Sequence, residues 1–552
     1  MESQTKQCQN CHNDFTITPD DFTFYEKINV SAPTNCPQCR QQQRVHIRNF
    51  KTLYKRNSDK SGKSIISMYS VKAPFPVWSH EEWWSDDWDA RTYGRAVDFT
   101  QPFFPQLQKL WNAVPHYAVI NTQSENCIYS NAVLKSKDCY FVFGCVEDEN
   151  CAYGHIVWNS KDCFDGLYVY KSELCYECTD ILGSYHLLYS QDCESCNDSV
   201  GLYDCRGCSN CIGCVGLQQK NYYIFNESVG KEAYEKFLAE HPLHDPAAIK
   251  FILEKRDELR KKLPQRYFNG SHNNDVSGDH IYNAKNIHYS FDVKSGEDSK
   301  YVFTCRQAID SYDISFSADV ELGYQTLFSN GRNMMSVHTC SNCTDTYYSE
   351  NCFNSHNIFG CEGLKSAEYC ILNKQYTKAE YEALLPKLIE HMQKTGEWGD
   401  FFPVTIMPFA YNESVVNEYF PLAKEEAIQK GYRWEDDIPR TKGQETIKND
   451  ELPKNPKLFS NDLANQVLRC DTCGYNHRLT LQEITFYKRI GVNIPNDCYH
   501  CRHERRMKAR NVRTLWPGAC VKCGKEFQTP YNPKDQKQYK IYCESCYQQE
   551  VA

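Results

Sequence analysis

Several features of common protein classes are missing from this sequence. It has no apolar run approaching about 18 residues, so we expect no membrane-spanning helix. The opening stretch, MESQTKQCQN, holds no apolar segment, which argues against a secretory signal peptide and predicts a cytoplasmic protein. No phosphate-binding loop, nucleophile elbow or HExxH motif is present. From these absences we expect no membrane partner and no small-molecule cofactor. They also favour a binding protein over an enzyme.

Cysteine, by contrast, is abundant, with 31 among 552 residues. In a reducing cytosol, paired CxxC motifs indicate metal sites before they indicate disulfides. The length exceeds what one hydrophobic core supports, so several domains are expected. Hydrophobic residues make up 41% and charged residues 24%, as in ordinary globular proteins, and the 38 tyrosines favour β structure.

Three pairs of CxxC motifs have the spacing of tetrahedral four-cysteine zinc sites. Two residues between cysteines let both thiolates reach one ion from a tight knuckle, and two knuckles complete the coordination shell. The predicted ligands are Cys8, Cys11, Cys36 and Cys39 in module 1, Cys470, Cys473, Cys498 and Cys501 in module 2, and Cys520, Cys523, Cys543 and Cys546 in module 3. We therefore predict about three structural Zn²⁺ per chain, with no open position for hydrolysis. Metal binding should supply on the order of 10 kcal/mol to the folding of each small module.

Modules 1 and 2 are copies of each other, offset by 462 residues. Phe24 and Tyr25 correspond to Phe486 and Tyr487 in this alignment. Both modules resemble a bacterial family of probable zinc-ribbon domains, with its CxxC motif, aromatic strand, F-Y pair and P-x-x-C-x-x-C-R ending. The resemblance covers about 45 residues per copy, although module 2 loses the aromatic strand residue near Leu479. It implies small treble-clef-like zinc ribbons and carries no activity.

A basic stretch with helical spacing follows the second knuckle of modules 1 and 2. Its arginines recur at every fourth position and so form one ridge on a helix. They are Arg40, Arg44 and Arg48 in module 1 and Arg502, Arg506 and Arg510 in module 2. Guanidinium groups bind phosphate bidentately, so the ridges predict contacts with a nucleic-acid backbone. The alternatives are a solvated helix face or a face docked on residues 61–467, which carry a net charge of −19 against +3 and +7 at the two ends.

The middle of the chain repeats with a period of twelve residues. The first column of the repeat contains Cys127, Cys139, Cys151, Cys163 and Cys175, and the seventh column is likewise narrow and apolar. Stacked small apolar residues at a short fixed period are typical of a β-solenoid, with Asp and Asn at the corners. Each coil could hold 12 or 24 residues, and we favour 24 because it is near the commoner size of a right-handed β-helix.

A second block repeats the first. Residues 334–373 match residues 187–226 at an offset of 147. Each block ends in an amphipathic helix, and the second of these begins with a capping box at Thr377 and Glu380. We expect these helices and the Trp-rich segment between Trp78 and Trp111 to cover solenoid ends, which would otherwise expose strand edges.

The predicted fold is therefore mainly β, with a tandem cysteine-rich solenoid, helical caps and three flanking zinc ribbons. The predicted order is residues 1–60, ribbon 1 with its basic helix; 61–118, Trp-rich cap; 119–229, solenoid block 1; 230–266, helical connector; 267–373, solenoid block 2; 374–467, helix and irregular linker; 468–514, ribbon 2 with its basic helix; and 515–552, ribbon 3. This layout resembles uncharacterised cysteine-rich proteins of small-genome uncultivated bacteria, which implies the architecture and no function.

Two further chemical interpretations of the repeats are weaker. Cys205, Cys208, Cys211 and Cys214 are spaced like part of an iron–sulfur motif, but they lack its three-residue step and following proline, so a core ladder is the simpler interpretation. Asp162 with Asp165, or Asp138 with Asp162, could form the carboxylate pair of a carbohydrate-active enzyme. Their recurrence in one repeat column favours a structural turn.

Three functions remain in competition. The favoured one is a non-enzymatic zinc protein that associates with RNA, DNA or the ribosome through the arginine ridges. The alternative is a protein–protein interaction scaffold that uses the acidic, Tyr-rich solenoid. A carbohydrate-active β-helix enzyme is the third.

Overall fold

The computed structural model describes residues 2–551, which form two compact units. The first unit comprises Met1–Ala118, Phe268–Ile438 and Arg513–Leu515, and the second comprises Val119–Tyr267, Pro439–Val512 and Trp516–Ala552. Module 1 and block 2 therefore belong to the first unit, whereas modules 2 and 3 and block 1 belong to the second. Strands dominate both units. Among residues 2–551, no helix combines the length and the apolarity that crossing a bilayer requires.

Block 1 consists of short parallel strands in two sheets. The first sheet contains Asn121–Thr122, Asn131–Leu134, Phe143–Val146, His155–Trp158, Leu167–Tyr170, Thr179–Leu182 and Gln191–Glu194, and the second contains Tyr185–Leu188, Asn197–Val200, Ser209–Ile212, Asn221–Ile224 and the antiparallel Glu227–Ser228. Neighbouring strands pair at an offset of twelve residues, as in Val157 with Val169. The preference for 24 residues per coil is therefore wrong, because adjacent parallel strands are only twelve residues apart in sequence.

The reason for the shorter repeat lies in the backbone. Along block 1 the chain adopts positive φ at nearly every third residue, for example at Asp162, Asp165 and Tyr168, with φ of 52°, 55° and 56°. Each such residue turns the chain sharply, so a twelve-residue repeat holds four turns. Asp and Asn tolerate this conformation better than most residues, which explains why they recur in the repeat.

Cysteines fill the interior of block 1. Cys139, Cys151 and Cys163 are buried side by side with the valines of the seventh column, as predicted. Each thiol lies within hydrogen-bonding distance of a carbonyl nine residues ahead, including that of Cys151 to Ser160 at 3.6 Å and that of Cys163 to Ser172 at 3.5 Å. A buried thiol packs as a small apolar group and also donates weak hydrogen bonds. The cysteines of block 1 do both.

Block 2 has the same parallel order with a less regular register. Its strands are Gly270–Ser271, Asn274–Tyr282, Ala284–Ile309, Tyr312–Leu327, Asn330–His338, Ser341–Tyr347, His356–Phe359, Glu368–Ile371 and the antiparallel Lys374–Gln375. Lys300 pairs with Tyr312 at an offset of twelve, whereas Val320 pairs with Gly331 at eleven. A register shift follows between Asn330 and Gly331.

Helices and small two-stranded sheets complete each unit. In the first unit the helices are Pro19–Lys27, Pro37–His46, His80–Trp84, Phe103–Trp111, Lys378–Thr395, Val416–Tyr419 and Lys424–Gln429, and the additional strand pairs are Gln4–Gln7 with Asp14–Ile17, Tyr54–Asn57 with Ser64–Ser67, and the parallel Val77–Trp78 with His116–Tyr117. In the second unit the helices are Lys231–Glu240, Pro246–Lys262, Leu481–Ile490, Tyr499–Ala509, Pro533–Gln538 and Glu544–Val551, and the strand pairs are Leu468–Arg469 with Asn476–His477, Trp516–Ala519 with Glu526–Thr529, and the parallel Pro264–Arg266 with Lys540–Tyr542. The predicted capping box at Thr377 and Glu380 is formed.

Candidate metal centres and the arginine docking sites

The twelve cysteines singled out by motif spacing form three groups of four. Within each group the sulfur atoms all lie within 4.8 Å of one another. Close approaches of 3.7 Å join Cys11 to Cys36, Cys473 to Cys498 and Cys523 to Cys543. Thiolates at about 2.3 Å from a tetrahedral ion lie about 3.8 Å apart, so the geometry fits a metal ion with four sulfur ligands. Such a shell is complete and leaves no position for a substrate.

The second knuckle of modules 1 and 2 also starts a helix. Cys36 is the residue before Pro37–His46, and Cys498 is the residue before Tyr499–Ala509. The hydrogen bond between the Cys36 and Cys39 thiols lowers the pKa of Cys36 to about 5 and raises the pKa of Cys39, so Cys36 is the one of the two that more readily forms the thiolate that metals bind. A metal ion in either group therefore fixes the start of a helix that carries the first two arginines of a ridge. The prediction of all three on one helix is wrong, because the helices end at His46 and Ala509, before Arg48 and Arg510.

The arginine ridges lie buried against the parallel blocks. At most 7% of any of the six side chains is exposed. The predicted phosphate-binding residues are thus placed inside each unit, where a nucleic-acid backbone has no access to them. This arrangement corresponds to the alternative in which the basic face docks on the acidic middle of the chain.

In the second unit two ridge arginines share one carboxylate of block 1. Arg502 Nε lies 3.0 Å from both oxygens of Asp165, and Arg506 Nη2 lies 2.9 Å from Oδ1. Arg506 also reaches Glu177 at 2.8 Å. Burial opposes ionisation of Asp165, but the charges of Arg502 and Arg506 outweigh it and hold the pKa of Asp165 below its ordinary value.

The first unit repeats this contact with different residues. Arg40 Nε donates to Asp313 Oδ2 at 2.9 Å, and Arg44 Nη1 donates to Oδ1 at 3.0 Å. Asp313 is fully buried, like Asp165. The two aspartates are 148 residues apart, close to the offset of 147 between the two blocks. The arginines that bind them are 462 residues apart, which is the offset between modules 1 and 2. Modules 1 and 2 therefore dock on the blocks of their own units through the same kind of buried arginine–aspartate ion pair.

Aromatic contacts flank both buried ion pairs in the same way. Phe24 stacks on Tyr312 with ring centres 4.0 Å apart, and Phe486 stacks on Phe164 at 3.9 Å. The next aromatic pair is also equivalent, since Tyr25 meets Tyr324 edge-on at 5.7 Å and Tyr487 meets Tyr176 at 5.6 Å. Both interfaces thus combine an ion pair with apolar packing.

The third ridge arginine differs between the units. Arg510 binds both oxygens of Asp180, at 2.7 and 3.0 Å. Phe328 in block 2 corresponds to Asp180 in block 1, because the two are separated by 148 residues, as Asp313 and Asp165 are. Arg48 lies 4.2 Å above the Phe328 ring, and all three of its guanidinium nitrogens lack a hydrogen-bond partner within the described chain.

This difference predicts unequal effects of one substitution. We expect Arg510→Met to lower the free energy of unfolding by about 3–5 kcal/mol, because it removes the guanidinium group that binds both oxygens of the largely buried Asp180 carboxylate. Arg48→Met should lower the free energy of unfolding by at least about 2 kcal/mol less than Arg510→Met does, because Arg48 is not directly bonded to a carboxylate. Chemical denaturation of the two variants measures this difference. Equal losses would contradict the asymmetry.

The other candidate residues contact either the repeats or module 2. Asp138 accepts a hydrogen bond from Asn126 at 2.7 Å, and Asp162 accepts one from Arg489 at 2.7 Å. Cys205 and Cys208 are fully buried, and the thiol of Cys205 donates to the Cys214 carbonyl at 3.5 Å. Within residues 2–551, no three cysteines of block 1 bring their sulfurs within 4.8 Å of one another.

Asp165, Asp313 and their aromatic neighbours were not identified as docking residues from the sequence. A signal was present, because each aspartate follows an aromatic residue in the aligned blocks, as Phe164-Asp165 and Tyr312-Asp313. Comparison with protein-family models, curated proteins and solved structures finds no match to this chain.

Proposed function

We propose that this chain is a non-enzymatic, zinc-dependent scaffold for protein–protein interaction. In this proposal each parallel block is a β-solenoid with twelve-residue coils, and each of modules 1 and 2 is a zinc ribbon clamped on one solenoid. The observation that carries it is the burial of the arginine ridges against Asp165 and Asp313. The most basic surfaces of the sequence are used for internal docking, so the outer faces of the blocks are left for partners.

Block 1 presents the best candidate surface for such a partner. Ile128, Tyr129, Leu182 and Tyr185 are all exposed by more than a third of their surface. Exposed tyrosine is enriched in protein interfaces because it offers apolar area together with a polar handle. Ile128 and Tyr129 lie in the repeat columns of Phe164 and Asp165, which contact module 2, whereas Tyr185 lies in a column of alternating charges such as Glu149 and Lys161, which are 2.9 Å apart.

Zinc is our proposal for the metal in all three four-cysteine groups. Four soft thiolates in a closed tetrahedron suit Zn²⁺ better than hard divalent cations. Metal analysis of purified protein should find about three zinc ions in these groups. Stoichiometric iron with visible absorbance would overturn the assignment.

Nucleic-acid association is a second candidate, supported by basic residues that remain exposed. Lys508 and Lys525 lie on the surface of modules 2 and 3, in the part of the chain with a net charge of +7. Contacts by these residues would be few, and binding would weaken with salt by a slope of about 0.9 per neutralised phosphate of duplex DNA.

One pair of variants separates the two functions. We expect labelled RNA and DNA to show no binding tighter than about 100 μM at physiological salt. A nuclease-resistant protein partner should be lost from Tyr129→Ser/Tyr185→Ser and retained by Lys508→Gln/Lys525→Gln. The scaffold proposal fails if the wild type binds nucleic acid tightly and the lysine variant alone loses that binding.

A further inference from the structure

A second, cysteine-free cluster of metal-ligating side chains lies buried in the first unit. It contains His116 from the cap segment and Glu350 and Glu362 from block 2, each no more than 2% exposed. Glu350 and Glu362 pair across adjacent strand positions of the block, so their side chains share one face. Burying two carboxylates is costly unless each is paired or binds a cation.

Each of these three residues is held by one hydrogen bond and has one polar atom without a partner. His116 Nε2 lies 3.1 Å from the Trp111 carbonyl, Glu362 Oε1 accepts from Asn351 at 2.9 Å, and Glu350 Oε1 lies 2.8 Å from His338 Nδ1. The atoms left without a partner within the described chain are His116 Nδ1, Glu362 Oε2 and Glu350 Oε2. Metal ligands are typically oriented by hydrogen bonds to neighbouring groups, as the His116 ring is by the Trp111 carbonyl and Glu362 is by Asn351.

His116 and Glu362 face each other across a distance that favours a cation. With Nε2–H donating to the Trp111 carbonyl, neutral His116 presents a lone pair at Nδ1. This atom lies 3.7 Å from Glu362 Oε1, too far for a hydrogen bond. An ion about 2.0–2.2 Å from a nitrogen and an oxygen ligand can sit between atoms at this separation.

The repeated blocks provide an internal comparison. At the offset of 147, the positions of Glu350 and Glu362 correspond to Tyr203 and Val215 in block 1. Neither of those residues can supply a carboxylate. The acidic pair is therefore a feature of block 2 alone, and the twelve-residue repeat does not require it.

We propose that His116, Glu350 and Glu362 bind one divalent first-row transition-metal ion, in addition to the three four-cysteine groups. Nitrogen and carboxylate ligands suit Mn²⁺, Fe²⁺ or Zn²⁺, whereas thiolate groups disfavour Mn²⁺. Among the described residues these three ligand atoms are not brought within 4.8 Å of one another. Rotation of the Glu350 side chain is therefore part of the binding.

Mn²⁺ tests this site without interference from the cysteines. We expect the full-length wild type to bind one Mn²⁺ by electron paramagnetic resonance, and Glu362→Gln to bind none. Asn351→Ala removes the hydrogen bond that orients Glu362, together with the bond that Asn351 accepts from Tyr117, and it should weaken binding by about 10–100-fold. Glu368→Gln, at an exposed glutamate of the same block, is the matched control and should bind like the wild type.

Total metal content provides the second measurement. We expect four divalent ions per chain in the wild type after Mn²⁺ equilibration, and three in Glu362→Gln. Circular dichroism checks that the variant folds, and His116→Asn replaces it if it does not. Three ions in both proteins with no bound Mn²⁺ would overturn the proposal and leave a protonated, uncharged Glu362 carboxyl as the explanation of its burial, since burial raises the pKa of Glu362 well above its ordinary value.

Discussion

Removal of metal from the full-length protein is expected to unfold modules 1, 2 and 3 while the parallel blocks remain folded. Each module has a small apolar core, and a structural zinc ion contributes on the order of 10 kcal/mol to such a fold. The blocks do not depend on the ion, because each strand is stabilised by its neighbours in the repeat. Hydrogen exchange after chelation should rise sharply in Tyr499–Ala509 and change little in Leu167–Tyr170.

A single ligand substitution localises this effect. Cys36→Ser should release Pro37–His46 alone, and Cys498→Ser should release Tyr499–Ala509 alone, because the two cysteines belong to separate groups. Each variant thus serves as the control for the other. Loss of exchange protection throughout both blocks would show that the metal supports the whole chain, contrary to this account.

The second large effect is expected on removing the shared carboxylate of either docking site. Asp165→Asn leaves Arg502 buried without its charge partner and leaves Arg506 with Glu177 alone, and Asp313→Asn removes the carboxylate shared by Arg40 and Arg44. Loss of one member of a buried ion pair costs about 3–5 kcal/mol. Chemical denaturation, followed by hydrogen exchange in the helix of the affected module, measures the loss.

A matched surface control distinguishes this effect from a general sensitivity to charge. Asp198 forms an exposed contact with His186 at 2.9 Å, so Asp198→Asn should change stability by less than about 1 kcal/mol. Similar losses in the buried and exposed variants would contradict the proposed docking role.

Acid should weaken docking in the second unit as well. The pKa of Asp165 is lower in the folded protein than its ordinary value, because the nearby arginines outweigh the effect of burial. The carboxylate therefore contributes stability at neutral pH, and this contribution is lost as pH falls through the ordinary carboxyl range and below. In Asp165→Asn that part of the pH dependence should be absent.

Much of the local organisation could be predicted from the sequence. The spacing of twelve cysteines identified the groups that could hold metal, because two-residue knuckles restrict where four thiolates can meet. The period of twelve and its apolar columns indicated stacked parallel strands with cysteine inside. The capping box at Thr377 could also be predicted, because its hydrogen bonds join residues only three positions apart in sequence.

The arginine ridges show where sequence reasoning reached its limit. Spacing alone places Arg502 and Arg506 on one helix face, but it does not specify what that face contacts. The partner, Asp165, lies more than 330 residues away, and its column in the repeat otherwise holds mainly aromatic residues, such as Tyr129, Phe141 and Tyr153, which do not indicate a docking carboxylate. The coil size was misjudged for a related reason, because left-handed turns at Tyr, Lys and Leu residues have no strong sequence signal.

The most direct test of the docking account is a double-mutant cycle between Arg502 and Asp165, with stability measured by denaturation of Arg502→Met, Asp165→Asn and the double variant. Residues in one buried ion-pair network show coupling of about 0.5–3 kcal/mol, and we predict a value in the upper half of that range. The exposed pair Lys161 and Glu149, at 2.9 Å, is the control and should couple by less than about 1 kcal/mol. Coupling near zero between Arg502 and Asp165 would contradict the central claim that the ridges are internal clamps.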